Sequence, residues 1–316
     1  MHTVLAGDIG GTKTRLAIAE VSGSNVKLLA EESFPSRNFS SFDTLLAEFL
    51  SDKKVPVSAA FGIAGPVEGR SVDVTNLPWR IHADELTRKF VIERCTLMND
   101  LEATACGLPA LCESDFLVLQ EGIADAIGNA AVIAPGTGLG EAGIFWDGKH
   151  HRPFATEGGH ASFSPQGELE MDLLKHLQRR YGHVSWERVV SGEGLVNIYE
   201  FLRINHPDSS MRDAAAISRD ALEGSDAICV ETLDCFVKLL GSEAGNLALK
   251  VMSRTGLYIG GGIPPKILPI LKNGAFLEAF LNKGRMRHLL EKMPVRVILE
   301  DRAALYGAAL RAAEAL

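Results

Sequence analysis

Apolar residues arrive along this chain in short runs that end on glycine. Val4-Leu5-Ala6 leads into Gly7-Asp8-Ile9-Gly10-Gly11-Thr12, and apolar positions then alternate through Leu16 and Ile18. Alternation predicts two strands, and the glycines between them predict a tight turn. Val26 to Ala30 follows as another apolar stretch. Phe42, Leu45, Leu46 and Phe49 recur at helical spacing across 40–50, with Ser40 or Ser41 placed to cap the start. Val57 to Ile63 and Cys95 to Met98 predict buried strands, Val72 to Thr75 a short one, and Asp84 to Phe90 and Leu101 to Leu108 helices.

The second half repeats the opening pattern. Strands are predicted at 115–119 and at Ala130 to Ala134, then a Pro135-Gly136-Thr137-Gly138-Leu139-Gly140 turn, then a strand from Glu141 to Trp146. Ala155 to His160 reads as a glycine-rich loop, and Ser191-Gly192-Glu193-Gly194 as another. Helices are predicted at 168–180, with Leu169, Leu173, Leu174 and Leu177 as the buried stripe, and at 195–202 and 213–222. A long helix spans 226–251, its apolar stripe running Val230, Leu233, Val237, Leu240, Ala244, Leu247 and Val251. Gly256 to Ile263 predicts a strand entering a triglycine turn, with Pro264-Pro265 opening a helix. Short helices at 276–280 and 286–290, a strand at 295–299 and an alanine-rich helix from 303 complete the chain. The polar stretches 208–214 and 282–288 are the expected mobile parts.

The length of 316 residues fits two domains, divided near residue 110. A first α/β domain covers 1–110 and is completed by the C-terminal helix, 301–316. A second α/β domain covers 111–300. Hydrophobic residues make up 46% and charged residues 23%, an ordinary balance for a soluble protein. The formal net charge of −8, with no basic block, argues against nucleic acid as a partner. No apolar run approaches a membrane span and no secretory leader precedes the first strand, so the expected location is the cytoplasm. The five cysteines include no C-x2-C pair, so zinc and redox dithiols are not expected.

Chemistry concentrates at the strand ends. The turns at Gly10, Gly11 and Thr12, at Gly136, Thr137 and Gly138, and at Gly260, Gly261 and Gly262 expose backbone N–H groups that can cradle phosphates. Lys13 adds positive charge, and Asp8 can face a bound Mg2+. The first turn has neither the spacing of a Walker loop nor the order of a dinucleotide fingerprint, and an ordinary glycine hairpin fits it too. Asp100, at a strand-to-helix junction, suits proton acceptance from a hydroxyl, although an N-cap role fits the same position. Asn99 can bond to a neighbouring hydroxyl. Glu157, His160 and Glu187 suit a polyhydroxylated ligand, because each carboxylate accepts from adjacent hydroxyls. Two phosphate turns plus such a base point to phosphoryl transfer.

At these residues the chain resembles the bacterial glucokinases of the actin-like, ribonuclease-H-like sugar kinase superfamily. The matching motifs are Leu5 to Thr12, Thr75-Asn76-Leu77-Pro78-Trp79, Met98-Asn99-Asp100, Pro135 to Gly140, Glu157-Gly158-Gly159-His160, His183 to Gly192 and Gly260 to Ile263. They run in order over nearly the whole chain. The Glu-Gly-Gly-His loop with His183-Val184-Ser185-Trp186-Glu187-Arg188 is the most specific. The resemblance implies a two-domain actin-like ATPase fold with an interdomain active-site cleft, and transfer of the γ-phosphoryl group of ATP to the 6-hydroxyl of glucose. It implies Asp100 as base, Asn99, Asp100, Glu157, His160 and Glu187 as sugar contacts, and Mg2+ near Asp8. It also implies the 136–138 and 260–262 turns on the nucleotide, and a homodimer. The cysteine cluster of the zinc-bearing relatives is absent, so His160 is read as a sugar contact. No helix-turn-helix precedes the first strand, which argues against a repressor. Lys13, Thr14 and the pair Ala161-Ser162 depart from the usual pattern. Kinases of another hexose or of an N-acetylhexosamine, and a nucleotide-driven binding module without a sugar acceptor, remain alternatives.

Overall fold

The computed structural model describes residues 1–206 and 209–316. The chain forms two compact units, Met1–Asp115 with Glu300–Leu316, and Phe116–Leu299.

The first unit is built on β1 (His2–Ile9), β2 (Lys13–Ser22), β3 (Asn25–Pro35) and β4 (Ser58–Ile63). Three short strands follow, β5 (Val67–Glu68), β6 (Ser71–Asp73) and β7 (Arg80–His82), and then β8 (Arg94–Asn99). The main sheet has the order β3-β2-β1-β4-β8, and β5-β6-β7 form a separate small sheet. β1, β4 and β8 are parallel, whereas β2 and β3 are antiparallel additions. Side-chain alternation sorts β1 between two cores. Leu5 and Ile9 join Phe42, Leu45, Leu46, Phe49 and Phe61 under the helix Phe42–Phe49. Val4 and Ala6 join Ala60, Ala103, Leu305, Ala308 and Ala309 under the helices Asp100–Gly107 and Ala303–Glu314. The alanines let those two helices approach so closely that a Cβ at Gly307 would overlap Ala103 O, and one at Gly107 would overlap Ala303 O.

The second unit holds β9 (Phe116–Gln120), β10 (Ala130–Pro135), β11 (Leu139–Trp146), β12 (His151–Thr156), β13 (Gly256–Ile259) and β14 (Val295–Ile298). Their order is β12-β11-β10-β13-β14-β9. β10, β13 and β14 are parallel, and β11 and β12 are the antiparallel pair. Five of the six strands therefore repeat the pattern of the first unit. The long helix Ala227–Val251 is capped by Asp226, whose carboxylate accepts from Ile228 N and Cys229 N. Leu233, Phe236, Val237, Leu240, Ala244 and Leu247 fill the core along it. Each of these side chains larger than alanine, taken fully from water, contributes about 1.5–3 kcal/mol.

Several local expectations are corrected. Leu169 and Val230, assigned to buried stripes, are exposed, because each stripe is narrower than the apolar spacing alone implies. The 191–194 segment is not a loop. Ser191 accepts from Gly194 N at 3.0 Å and starts the helix Gly192–Leu202, and Gly194 is small because Val189 backbone lies against it. Pro264-Pro265 open a single 3-10 turn, with a short helix only from Leu268 to Leu271. β12 begins before the expected Ala155 loop and supplies its first two residues. Of the polar stretch 208–214, residue 208 lies outside the described residues. Beyond it, Arg203 and Tyr199 side chains bond the carbonyls of Ser209 and Ser210, and Arg212 pairs with Asp220 and Asp226. In 282–288, Lys283 Nζ donates to Ser242 Oγ at 3.3 Å.

Gly307→Ala is expected to lower unfolding stability by about 1–3 kcal/mol, since the added methyl has no space to occupy. A urea midpoint equal to that of the parent chain would contradict this packing.

Candidate active site

In the first unit, the parallel strands end in register. Ile9 lies beside Ile63, and Ile63 beside Asn99. The carboxyl ends of parallel strands are where open α/β sheets present their ligands. Asp8, the Gly10–Thr12 turn, Lys13 and Asn99-Asp100 all occupy this one edge. Gly10 N donates to Lys13 O at 3.0 Å, which closes the turn, and a Cβ at Gly11 would stand 2.9 Å from Thr75 O. Thr12 and Lys13 are exposed. Gly62, opposite Asp8 in the sheet, has Asp100 Cα 3.8 Å from where its Cβ would be.

Asn99 is the N-cap of the helix Asp100–Gly107, and its Oδ1 accepts from Leu101 N at 2.9 Å. Asn99 Nδ2 donates to Gly65 O at 3.3 Å. Capping thus falls to Asn99 rather than Asp100. Asp100 is the first helical residue, half-buried, with Oδ1 accepting from Leu101 N at 2.9 Å. Burial pushes the Asp8 carboxyl up to about 6, against the opposing pull of Arg15 and then Lys13. Arg15 itself is held by Asp301, at 2.7 Å from Nη2 to Oδ2.

The second unit gathers the remaining residues. Gly136 N donates to Gly138 O at 2.8 Å, and Gly192 N to Gly136 O at 2.8 Å. Leu139 N, at the end of this turn, donates to Glu187 Oε2 at 2.9 Å. A Cβ at Gly138 would overlap that same oxygen, so a side chain there would displace the carboxylate from Leu139 N. His160 stands between two carboxylates, with Nδ1 4.0 Å from Glu187 Oε1 and Nε2 3.9 Å from Glu157 Oε2. Those separations are too long for hydrogen bonds. All three side chains therefore keep bonding capacity for a ligand. Glu157 and His160 are largely exposed, and Glu187 is mostly buried.

The segment carrying them is stitched in place. Trp186 N donates to Ala161 O at 3.0 Å, Phe163 N to Val184 O at 2.9 Å, and the Trp186 and Phe163 rings meet edge-on at 5.0 Å. Gly261 has φ 87°, and a Cβ there would overlap Pro135 O, which brings the 260–262 turn against the end of β10.

A family model described as Glucokinase matches residues 5–315. The chain belongs to the glucokinase family. A glucokinase of Trichormus variabilis is 41% identical, with 99% of each chain covered. The crystal structure of a glucokinase from an Antarctic psychrotroph superposes with a TM-score of 0.89 at 33% identity, covering 99% of both chains. A Balamuthia mandrillaris glucokinase in complex with glucose gives 0.84 at 25% identity, covering 99% of this chain and 94% of that one. The fold is accordingly that of the actin-like sugar kinases.

Sequence reasoning missed the groups that hold these residues. Ser36, completely buried, donates to Gly10 O at 2.7 Å, so its oxygen accepts from Thr14 Oγ1 at 2.9 Å. A serine between a strand and a loop carries no signal of that role. Glu141 did carry one, a carboxylate inside an otherwise apolar strand. Among the described residues no group of three His, Cys, Asp or Glu gathers as a metal site. Nor is any helix among them long and apolar enough to cross a membrane.

Ser36→Ala should cost about 1–3 kcal/mol, because Gly10 O and the Thr14 hydroxyl lose their buried partner. Chemical denaturation checks it, and a loss well below this range would mean that Ser36 does not secure the turn.

Proposed function

We propose that this chain transfers the γ-phosphoryl group of ATP to the 6-hydroxyl of D-glucose, giving glucose 6-phosphate and ADP. One observation carries the reading: the hydrogen bond from Leu139 N to Glu187 Oε2. It ties a glycine turn of the phosphate-cradling type directly to a carboxylate of the polyhydroxyl-binding set. A nucleotide module without a sugar acceptor has no use for Glu157, His160 and Glu187 beside that turn.

In this reading Asp100 is the base. Its carboxylate accepts the 6-hydroxyl proton as the new P–O bond forms. Asn99, fixed by its own cap bond, orients a neighbouring hydroxyl. Glu157, His160 and Glu187 bind the remaining hydroxyls and leave unpaired polar groups when a ligand lacks them. N–H groups of the Gly10–Thr12, Gly136–Gly138 and Gly260–Gly262 turns hold phosphates and nucleotide, with Lys13 adding charge. Mg2+ fits as an ion bound chiefly by phosphate oxygens and water, as this cation prefers, with Asp8 as its protein neighbour. Bound there it would neutralise charge on the transferring group. Alignment and charge stabilisation, with no covalent enzyme intermediate, would supply most of the rate. The same reading makes the protein a cytoplasmic homodimer acting in glycolysis, and its mass in solution checks the oligomeric part.

Asp100→Asn is expected to bind glucose nearly as the parent does while kcat falls roughly a hundredfold or more. Near-normal turnover would remove Asp100 from its role. Glu187→Gln should raise the KM for glucose well above its effect on the KM for ATP, and equal effects on both would dissolve the sugar-binding assignment.

A further inference from the structure

One carboxyl of the second unit is buried where the strand pattern asks for an apolar group. Glu141, in β11, is 2% exposed, and Glu243, midway along the helix Ala227–Val251, is fully buried. Glu243 Oε2 accepts from Asn246 Nδ2 at 2.7 Å, and its Oε1 from Lys250 Nζ at 3.3 Å. Glu141 Oε1 is buried with no hydrogen-bond partner. Its Oε2 lies directly beneath Gly158, where a Cβ would overlap it.

The same residue also underlies that segment through its backbone. Thr156 Oγ1 donates to Glu141 O at 2.9 Å and accepts from Gly158 N at 3.2 Å. Gly159 is pressed against Leu139 O, two residues from Glu141. The segment bearing Glu157 and His160 therefore rests on the Glu141 side chain and on the strand that holds it.

We propose that Glu141 and Glu243 hold one proton between them, and that the neutral Glu141 carboxyl is a positioning residue for the Glu157–His160 segment. The inference rests on the reading of that segment as sugar-binding. Two ionised carboxylates without water repel, and one shared proton removes the repulsion. It also supplies a bond that the buried pair otherwise lacks. If the proton leaves, Glu141 becomes a buried charge facing Glu243, and Gly158 is the cover that must move for water to reach it.

Among the described residues, the charged groups acting on the pair are Lys250 from the long helix and Lys283 from the turn packed on it, while the segment bearing Glu157 and His160 covers Glu141 through Gly158. Burial first, then the Glu243 charge, push Glu141 up to about 8 from its ordinary 4.5, against the pull of Lys250. Burial also raises Glu243, opposed by Asn246, Lys250 and Lys283. The folded chain thus holds a proton that the unfolded chain has lost between those values. The pair's contribution to stability declines as pH rises through that window.

The test is the pH profile of the glucose KM and ATP KM between pH 7 and 9.5, with infrared detection of a protonated carboxyl at pH 7. The parent should show the carboxyl band. Its glucose KM should rise above about pH 8, by at most about tenfold per pH unit, the limit set by loss of one proton, while its ATP KM stays flat. Glu141→Gln, whose amide cannot ionise, should lose the band and keep a flat glucose KM. Glu243→Gln, which removes the neighbouring charge but leaves Glu141 buried and ionisable, should move the rise in glucose KM to lower pH, and serves if the first variant does not fold. A parent enzyme without the band and with a flat glucose KM overturns the proposal, as does a Glu141→Gln variant that follows the parent's rise. Absence of glucose phosphorylation by the parent at pH 7 would instead defeat the substrate reading, and the infrared band would still report on the proton.

Discussion

The structure depends on glycine backbone meeting neighbouring atoms at points where a Cβ would overlap them. In the second unit, Gly159 lies on Leu139 O, Gly261 on Pro135 O, and Gly138 on the Glu187 carboxylate. In the first, Gly62 lies on Ala103, and Gly307 and Gly107 on the helix backbones opposite. A Cβ at any of these positions would overlap its neighbour and force one of the two to shift. The glycines thus do more than turn the chain. They set the approach of strand ends, loops and helices to which the functional side chains are attached.

That constraint acts on one strand pattern used in both units. Each unit has two antiparallel strands, then three parallel strands, with a glycine turn between the first antiparallel pair. The two copies carry different chemistry on the same scaffold. At the strand ends of the first stand Asp8 and the Asn99-Asp100 junction, with Lys13 exposed beside them. At those of the second, the corresponding turn is bonded to Glu187, and a stitched segment brings His160 within 4.0 Å of that carboxylate. A proton acceptor belongs to one copy and the polyhydroxyl set to the other.

The parts of this arrangement that were legible in the sequence are those governed by local periodicity. Alternation announced β1 and β2 around the Gly10–Thr12 turn, and three- and four-residue steps announced the Ala227–Val251 helix. The glycine clusters marked strand ends because few other residues tolerate such close approach. What was not legible depends on partners distant in the chain. Gly192 and Gly194 look like a loop until Val189 backbone and the Ser191 cap show why a helix starts there. Leu169 and Val230 match helical stripes, yet tertiary packing leaves them in solvent. Ser36 and Arg15 read as ordinary polar residues, and only the folded sheet brings them to Gly10 and Asp301. Likewise, spacing alone could not link Glu187 to the 136–140 turn, 48 residues earlier by the Leu139 bond.

The central claim is that these residues serve phosphoryl transfer to a sugar's primary alcohol. Phosphorus NMR of the products formed from MgATP and glucose addresses it most directly. The account requires one ADP for each sugar phosphate, with the new phosphate on the 6-hydroxyl. ADP released at the same rate without sugar, or a phosphate on any other hydroxyl, would contradict it.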